Sequence, residues 1–284
     1  MKNAAEPARR RTFQTTDGVK LSFLEAGEQN VGNQKPTIAL VPGWLMPAAI
    51  WLGQLDGLSQ DYHVVALDPR GQGQSDVPPW GYTAERRAAD LHEFVTPFSA
   101  ILLVGWSLGA IEALQYAHMF GDERIAGLVL VDSSVGEEPV PPSSETFLSR
   151  LRADRERTLE EFVRALFHMP RPQTELDRLV QWALQMDLDQ SLALLSYPFV
   201  RTHWKRIVHG LKKPLLYIVT PEFEAQAENL QRNRPGTQSE IFRDAGHALF
   251  VDEGARFNQL LATFAASLST QSAKNSLRSA KANP

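Results

Sequence analysis

Apolar residues fall along this chain in short unbroken runs separated by stretches of helical spacing. The runs are Thr37–Val41, His63–Leu67, Ala100–Val104, Ile125–Val131 and Leu215–Val219. Unbroken apolar runs of this length predict strands buried on both faces. Between the first four, Ala48–Leu58, Thr83–Phe94 and Leu108–Phe120 place apolar residues at helical intervals. Strands alternating with helices predict an α/β fold built on a mostly parallel, doubly wound sheet. Ahead of them, Thr12–Thr16 and Lys20–Glu25 flank Asp17-Gly18. That is a hairpin signature, and it adds antiparallel strands at one sheet edge.

The alternation stops after Ser134. Glu137–Pro142 is proline-rich and reads as a stiff connector. Ser143 to Gly210 is helical in pattern throughout, which predicts an inserted helical cap over 137–210. Lys213-Pro214 restarts the alternation, with a helix near Glu222–Arg232, a strand at Gln238–Phe242 and a last helix at Asp252–Leu268. The core is therefore expected at 12–136 and 211–269. A basic N-terminus at 1–11 and a tail at 270–284 are expected to be disordered.

Composition narrows the function classes. The chain has 284 residues, 43% of them hydrophobic and none of them cysteine. Disulfides, a thiol nucleophile and thiolate metal sites are excluded, and a reducing, cytoplasmic setting fits. The longest apolar run, Ala100–Trp106, is far short of the roughly 20 residues a membrane helix needs. The polar start does not read as a signal peptide. Net charge is −4 although both ends are basic, so the body is more acidic still. Nucleic acid is a poor partner for such a surface.

The sharpest chemical signal is Gly105-Trp106-Ser107-Leu108-Gly109, between a strand run and a helical stretch. A nucleophile on a tight strand-to-helix turn needs glycines two residues before and after it, because strand and helix approach each other there. The helix start also presents free N–H groups to a developing oxyanion. A second donor should come from the loop after an early strand. Val41-Pro42-Gly43-Trp44 stands there, which points to the N–H groups of Trp44 and Leu108 as an oxyanion hole. Of seven histidines, only His247 follows a glycine on a loop after a late strand, and it is the candidate base for Ser107. His203 and His209 lie six apart, a weak metal spacing. No metal and no cofactor are expected.

These residues resemble the α/β-hydrolase family. The resemblance rests on Pro42-Gly43-Trp44, Asp68-Pro-Arg-Gly-Gln-Gly-Gln-Ser75, Gly105–Gly109, Val129–Asp132 and Gly246-His247, in family order over about residues 12–268. It implies Ser107 as nucleophile, His247 as base, and Trp44 and Leu108 as oxyanion donors. The Asp68–Ser75 loop is structural in that layout. Two departures stand out. Pro42 replaces the histidine usual before the oxyanion-loop glycine. Thr220-Pro221-Glu222-Phe223-Glu224 lacks the usual Gly-x-x-Asp acid turn. Asp132, at the end of its strand, is the expected triad acid, with Glu222, one position off register, as the alternative and Glu224 or no acid behind them.

The whole is similar to pimeloyl-carrier-protein methyl ester esterases, which share the Gly-Trp-Ser-Leu-Gly elbow and a cap of this type. The resemblance implies a serine esterase acting on a small-molecule ester. Arg150, Arg152, Arg155, Arg157, Arg164 and Arg171 form a basic-leaning stretch with acids interspersed. That stretch is either an ion-paired helical face or a docking site for an acidic acyl-carrier protein. A second resemblance, to cofactor-free quinolone dioxygenases, shares the Pro-Gly-Trp loop and an acid at Asp132. It implies a His247–Asp132 dyad that deprotonates the substrate. A non-catalytic, ligand-binding member of the fold is the third reading. Haloalkane dehalogenases and epoxide hydrolases carry a carboxylate where this chain has Ser107, and are excluded.

Overall fold

A computed structural model describes residues 7–142 and 144–281, with side-chain surroundings as far as residue 268. Eight strands form one sheet in the order β1-β2-β4-β3-β5-β6-β7-β8. β1 (Arg9–Gln14), β2 (Lys20–Ala26) and β4 (Val64–Asp68) pair antiparallel at one edge. β3 (Thr37–Val41), β5 (Ile101–Trp106), β6 (Ile125–Val131), β7 (Leu215–Val219) and β8 (Gln238–Ile241) continue the sheet in parallel beside β4. β3 lies between β4 and β5, so the chain leaves it to one side and returns on the other. Open α/β sheets bind ligands at such a switch point, beyond the carboxyl ends of the strands.

Every residue of β3, β4 and β5 is buried, which is why these strands are continuous apolar runs rather than alternating ones. The period of two still divides them. Ile38, Leu40, Leu102 and Val104 face a core with Trp51, Phe250 and Phe257. Ala39, Val41, Ile101 and Leu103 face the opposite core. The first layer includes α1 (Leu52–Leu58), α10 (Leu249–Asp252) and α11 (Gly254–Lys281). The second includes α2 (Ala84–Val95), α3 (Leu108–Phe120) and α9 (Glu224–Asn233).

Five helices lie between β6 and β7: α4 (Glu145–Ala153), α5 (Arg155–Ala165), α6 (Gln173–Ala183), α7 (Leu188–Leu195) and α8 (Arg201–Gly210). α4 to α7 pack with the first core. α8 does not, because Trp204, Ile207 and Val208 make an apolar stripe that sits in the second core. α8 therefore belongs to the layer over the sheet, although the sequence pattern joins it to the insertion over 137–210.

Both ends differ from expectation. Arg9, Arg10 and Arg11, expected within a disordered N-terminus at 1–11, belong to β1. Arg10 Nη1 meets Asp68 Oδ2 at 2.5 Å, and Arg11 pairs with Glu25 and Glu28. The arginines are edge-strand charges with partners rather than a solvating tail. Residues 1–6 lie outside the described residues. α11 continues to Lys281, past the expected end at Leu268. Residues 269–281 contain no glycine or proline to stop it. Of the tail expected to be disordered at 270–284, residues 282–284 lie outside the described residues. No helix among the described residues is long and apolar enough to cross a membrane.

Candidate active site

Ser107 is the single residue between β5 and α3, at φ 55 and ψ −119. Few residues other than glycine adopt such a backbone, and holding it costs of order 1–3 kcal/mol. The flanking glycines make the turn sterically feasible. A Cβ on Gly105 would lie 2.3 Å from the Gly109 carbonyl oxygen, and one on Gly109 would lie 2.6 Å from the carbonyl oxygens of Val41 and Pro42. The crowding inferred from the motif is thus three-way, among β5, α3 and the end of β3. The Ser107 N–H donates to Val131 at 2.9 Å, and its carbonyl accepts from Ala110 at 3.0 Å.

Asp132 follows β6 with φ 44 and is 1% exposed. Its Oδ2 accepts from His247 Nδ1 at 2.7 Å. Its Oδ1 takes the N–H and hydroxyl of Thr220, at 2.7 and 2.8 Å. A carboxylate at Nδ1 requires the proton there, which leaves Nε2 as the basic nitrogen. Glu222 is exposed in the 3₁₀ turn Pro221–Phe223, and among the described residues no hydrogen bond or ion pair joins it to His247. Glu224 pairs with Arg243. The structure therefore brings Asp132, and neither glutamate, to the imidazole. Thr220 stands where the usual turn would begin. Its part is invisible to sequence pattern, because its partner is 88 residues away.

The loop around His247 is held on three sides. Trp106, the residue before Ser107, donates Nε1–H to the His247 carbonyl at 2.8 Å, with its ring 5.1 Å from the imidazole. This links the serine turn to the histidine loop. Asp252 accepts from Gly246 N–H at 2.9 Å, His168 N–H at 2.8 Å and Met169 N–H at 3.1 Å. Ala248 N–H donates to the Leu166 carbonyl at 2.7 Å. A Cβ on Gly246 would lie 2.7 Å from the His168 nitrogen, so the loop after α5 fits against the histidine loop only if that residue is glycine. Asp252 is a second residue that pattern reading missed, and the glycine before His247 was the available signal.

The loop after β3 closes over the serine. A Cβ on Gly43 would meet Ser107 Cβ at 3.0 Å. Among the described residues the Trp44 N–H has no hydrogen-bond partner. The Leu108 N–H opens α3, where no intrahelical acceptor exists and the helix dipole is positive. The Trp44 side chain is anchored in the insertion. Its Nε1–H donates to the Ser191 carbonyl at 2.8 Å, and its ring meets Phe147 and Phe162 edge-on at 5.7 and 5.2 Å.

Most of the remaining sequence candidates are occupied elsewhere, while Arg152 is exposed. His203 bonds Gln115, and His209 bonds Glu137. Arg150 and Arg157 share Glu161, Arg171 pairs with Glu175, and Arg155 holds the carbonyls of Ala183 and Met186.

The profile of the Alpha/beta hydrolase family matches residues 38–260. A pimeloyl-acyl-carrier-protein methyl ester esterase of Vibrio atlanticus is 29% identical over 271 residues, covering 83% of this chain and 96% of its own. A protein of the same name from Vibrio cholerae is 28% identical over 268 residues, with 83% and 96% covered. An esterase from Exiguobacterium antarcticum superposes with a TM-score of 0.78 over 90% of this chain and 98% of its own, at 20% identity, a likeness of fold. Because the family profile runs from β3 into α11, over well more than half of its length, this chain belongs to the alpha/beta hydrolase family.

Proposed function

We propose that the protein is a serine hydrolase that cleaves carboxylic esters through an acyl-enzyme on Ser107. The observation that carries this reading is the 2.7 Å bond from His247 to buried Asp132, on a loop tied by Trp106 to the turn that presents Ser107. His247 Nε2 takes the Ser107 hydroxyl proton as Oγ attacks the ester carbonyl. The N–H groups of Trp44 and Leu108 receive the oxyanion. His247 then protonates the leaving alcohol, and the acyl group stays on Oγ. Water attacks the acyl-enzyme, gives its proton to His247, and the acid leaves.

A fluorophosphonate probe and a short p-nitrophenyl ester test this directly. Ser107→Ala should abolish covalent labelling and lower turnover by at least about 10³-fold. Hydrolysis persisting in that variant refutes the proposal. Turnover that depends on His247 also disposes of a purely ligand-binding role.

The Vibrio relatives are named for an ester borne on an acyl-carrier protein. In this chain the α4–α5 segment, residues 145–165, has five arginines and five carboxylates, a balanced surface rather than a basic one. A free small-molecule ester is therefore the substrate proposed, and a carrier-borne ester is the second arm of the substrate panel. The His247–Asp132 pair also supports a second reading, the cofactor-free ring dioxygenase. Oxygen uptake with a hydroxyquinolone that survives Ser107→Ala would favour it.

A further inference from the structure

The loop between β4 and α2 carries a buried amide that the chemistry above leaves unused. Gln72 is 0% exposed. Its Nε2 donates to the carbonyls of Gly43 at 3.0 Å and Met46 at 2.8 Å, and its Oε1 accepts from Arg87 Nη2 at 3.1 Å. Exchanging oxygen and nitrogen would set an acceptor against two carbonyls, so the neighbours fix the amide's orientation. The Gly43 carbonyl and the Trp44 N–H belong to one planar peptide, on which the two groups point in opposite directions. Whatever holds the carbonyl also sets where the N–H points. A Cβ on the same Gly43 would come within 3.0 Å of Ser107 Cβ, so this peptide lies beside the serine.

Arg87 is itself held from behind. It donates Nε–H to Glu112 Oε1 at 2.8 Å, Nη2–H to Glu112 Oε2 at 3.2 Å and Nη1–H to the Arg70 carbonyl at 2.7 Å. Glu112 also accepts from the Tyr197 hydroxyl at 3.1 Å. Glu112 lies on α3, the helix that opens with Leu108. The chain Glu112–Arg87–Gln72 therefore ties the Gly43–Trp44 peptide to the element that bears the other oxyanion donor.

We propose that Gln72 is a positioning residue for oxyanion stabilisation, holding the Gly43–Trp44 peptide so that its N–H is set in register with that of Leu108. The inference rests on the reading of Trp44 and Leu108 as the oxyanion donors. Donors aimed in advance need no reorganisation when charge develops, and a misplacement near 1 Å costs on the order of 10²-fold in rate.

Two variants of the full-length protein test it. Gln72→Met keeps the length and removes both donors. Gln72→Glu keeps an acceptor for Arg87 and also removes the donors. Each is assayed with p-nitrophenyl butyrate, with an aryl trifluoromethyl ketone that forms a tetrahedral adduct, and with the unfluorinated ketone of the same shape. The expected result is kcat lower by about 10- to 100-fold with KM within about threefold. The fluoroketone inhibition constant should rise by the same factor as the loss in kcat/KM, while the plain ketone keeps its constant. Unchanged kcat in both variants overturns the proposal, and so does a parallel loss of all constants. If Gln72→Met does not fold, Gln72→Glu decides. If neither folds, Gln72 serves stability alone and the proposal fails. Wild-type protein without Ser107-dependent turnover or labelling sinks the proposed function and this inference with it. Active wild type with unaffected Gln72 variants sinks only the role of Gln72.

Discussion

Replacing Asp132 by asparagine tests which proton state the histidine needs, with almost no change of shape. Thr220 presents two donors, N–H and Oγ1–H, to Asp132 Oδ1. The asparagine amide must therefore turn its oxygen toward Thr220, which leaves its NH2 group facing His247 Nδ1. That nitrogen then has to accept rather than donate, and the proton moves to Nε2, where it blocks the base. The wrong tautomer costs about 10⁴ in kcat in the serine protease case from which the rule comes. A fall of 10³- to 10⁴-fold is expected here, about 4–5.5 kcal/mol in the barrier. All but one of the hydrogen bonds around Asp132 keep their geometry, so the melting temperature should stay within a few degrees. Steady-state hydrolysis of p-nitrophenyl butyrate by the pure variant, with Glu222→Gln beside it, measures the effect. Asp132→Asn keeping more than a tenth of wild-type kcat would refute the reasoning, as would a comparable loss in Glu222→Gln.

Asp252→Ala removes the acceptor of three backbone N–H groups, one in the histidine loop and two in the loop after α5. It should cost about 1–3 kcal/mol of stability and lower kcat/KM, read by thermal denaturation and ester turnover. Gly105→Ala sets a methyl group 2.3 Å from a backbone oxygen, and little folded protein should be recovered, as judged by circular dichroism and fluorophosphonate labelling. The side-chain hydrogen bond from Arg70 holds the Asp17 carboxyl well below the usual carboxylate range, against a smaller opposing effect of burial. A carboxyl depressed in the folded state stabilises fully above its unfolded value, near 4, and loses that contribution as pH falls toward the folded value. Urea denaturation should therefore place Asp17→Asn below wild type at pH 7, with the gap closing under pH 4.

The parts of this fold legible in sequence are those decided locally. Both faces of β3, β4 and β5 are covered, so each reads as an apolar run bounded by breakers. The serine turn is legible because three backbones meet there and only glycine fits at positions 105 and 109. What escaped depends on distant partners. Arg9–Arg11 look like a solvating tail until Asp68, Glu25 and Glu28 are brought beside them. α8 carries the same helical spacing as its predecessors, and periodicity alone does not say which face of a sheet a helix covers. The sequence favours Asp132 as the acid but keeps Glu222 as an alternative, because the familiar turn is missing. Only the folded chain, with Thr220 folded back on Asp132, separates a carboxylate on the imidazole from one in solvent. Gln72 reads as one polar residue in a glycine-rich loop, since its partners are 29, 26 and 15 residues away.

The stitching of residues 166–169 to the histidine loop restricts how a substrate enters. Gly246 and Ala248, on either side of His247, are both bonded into that junction, through Asp252 and the Leu166 carbonyl. An entrance that opened by lifting this turn would drag the imidazole off its aspartate and, on the proposed mechanism, halt hydrolysis while the doorway stood wide. The insertion is tied a second time through α7, whose Ser191 carbonyl holds the Trp44 indole, so on that mechanism any displacement of the insertion is felt by both the base and an oxyanion donor.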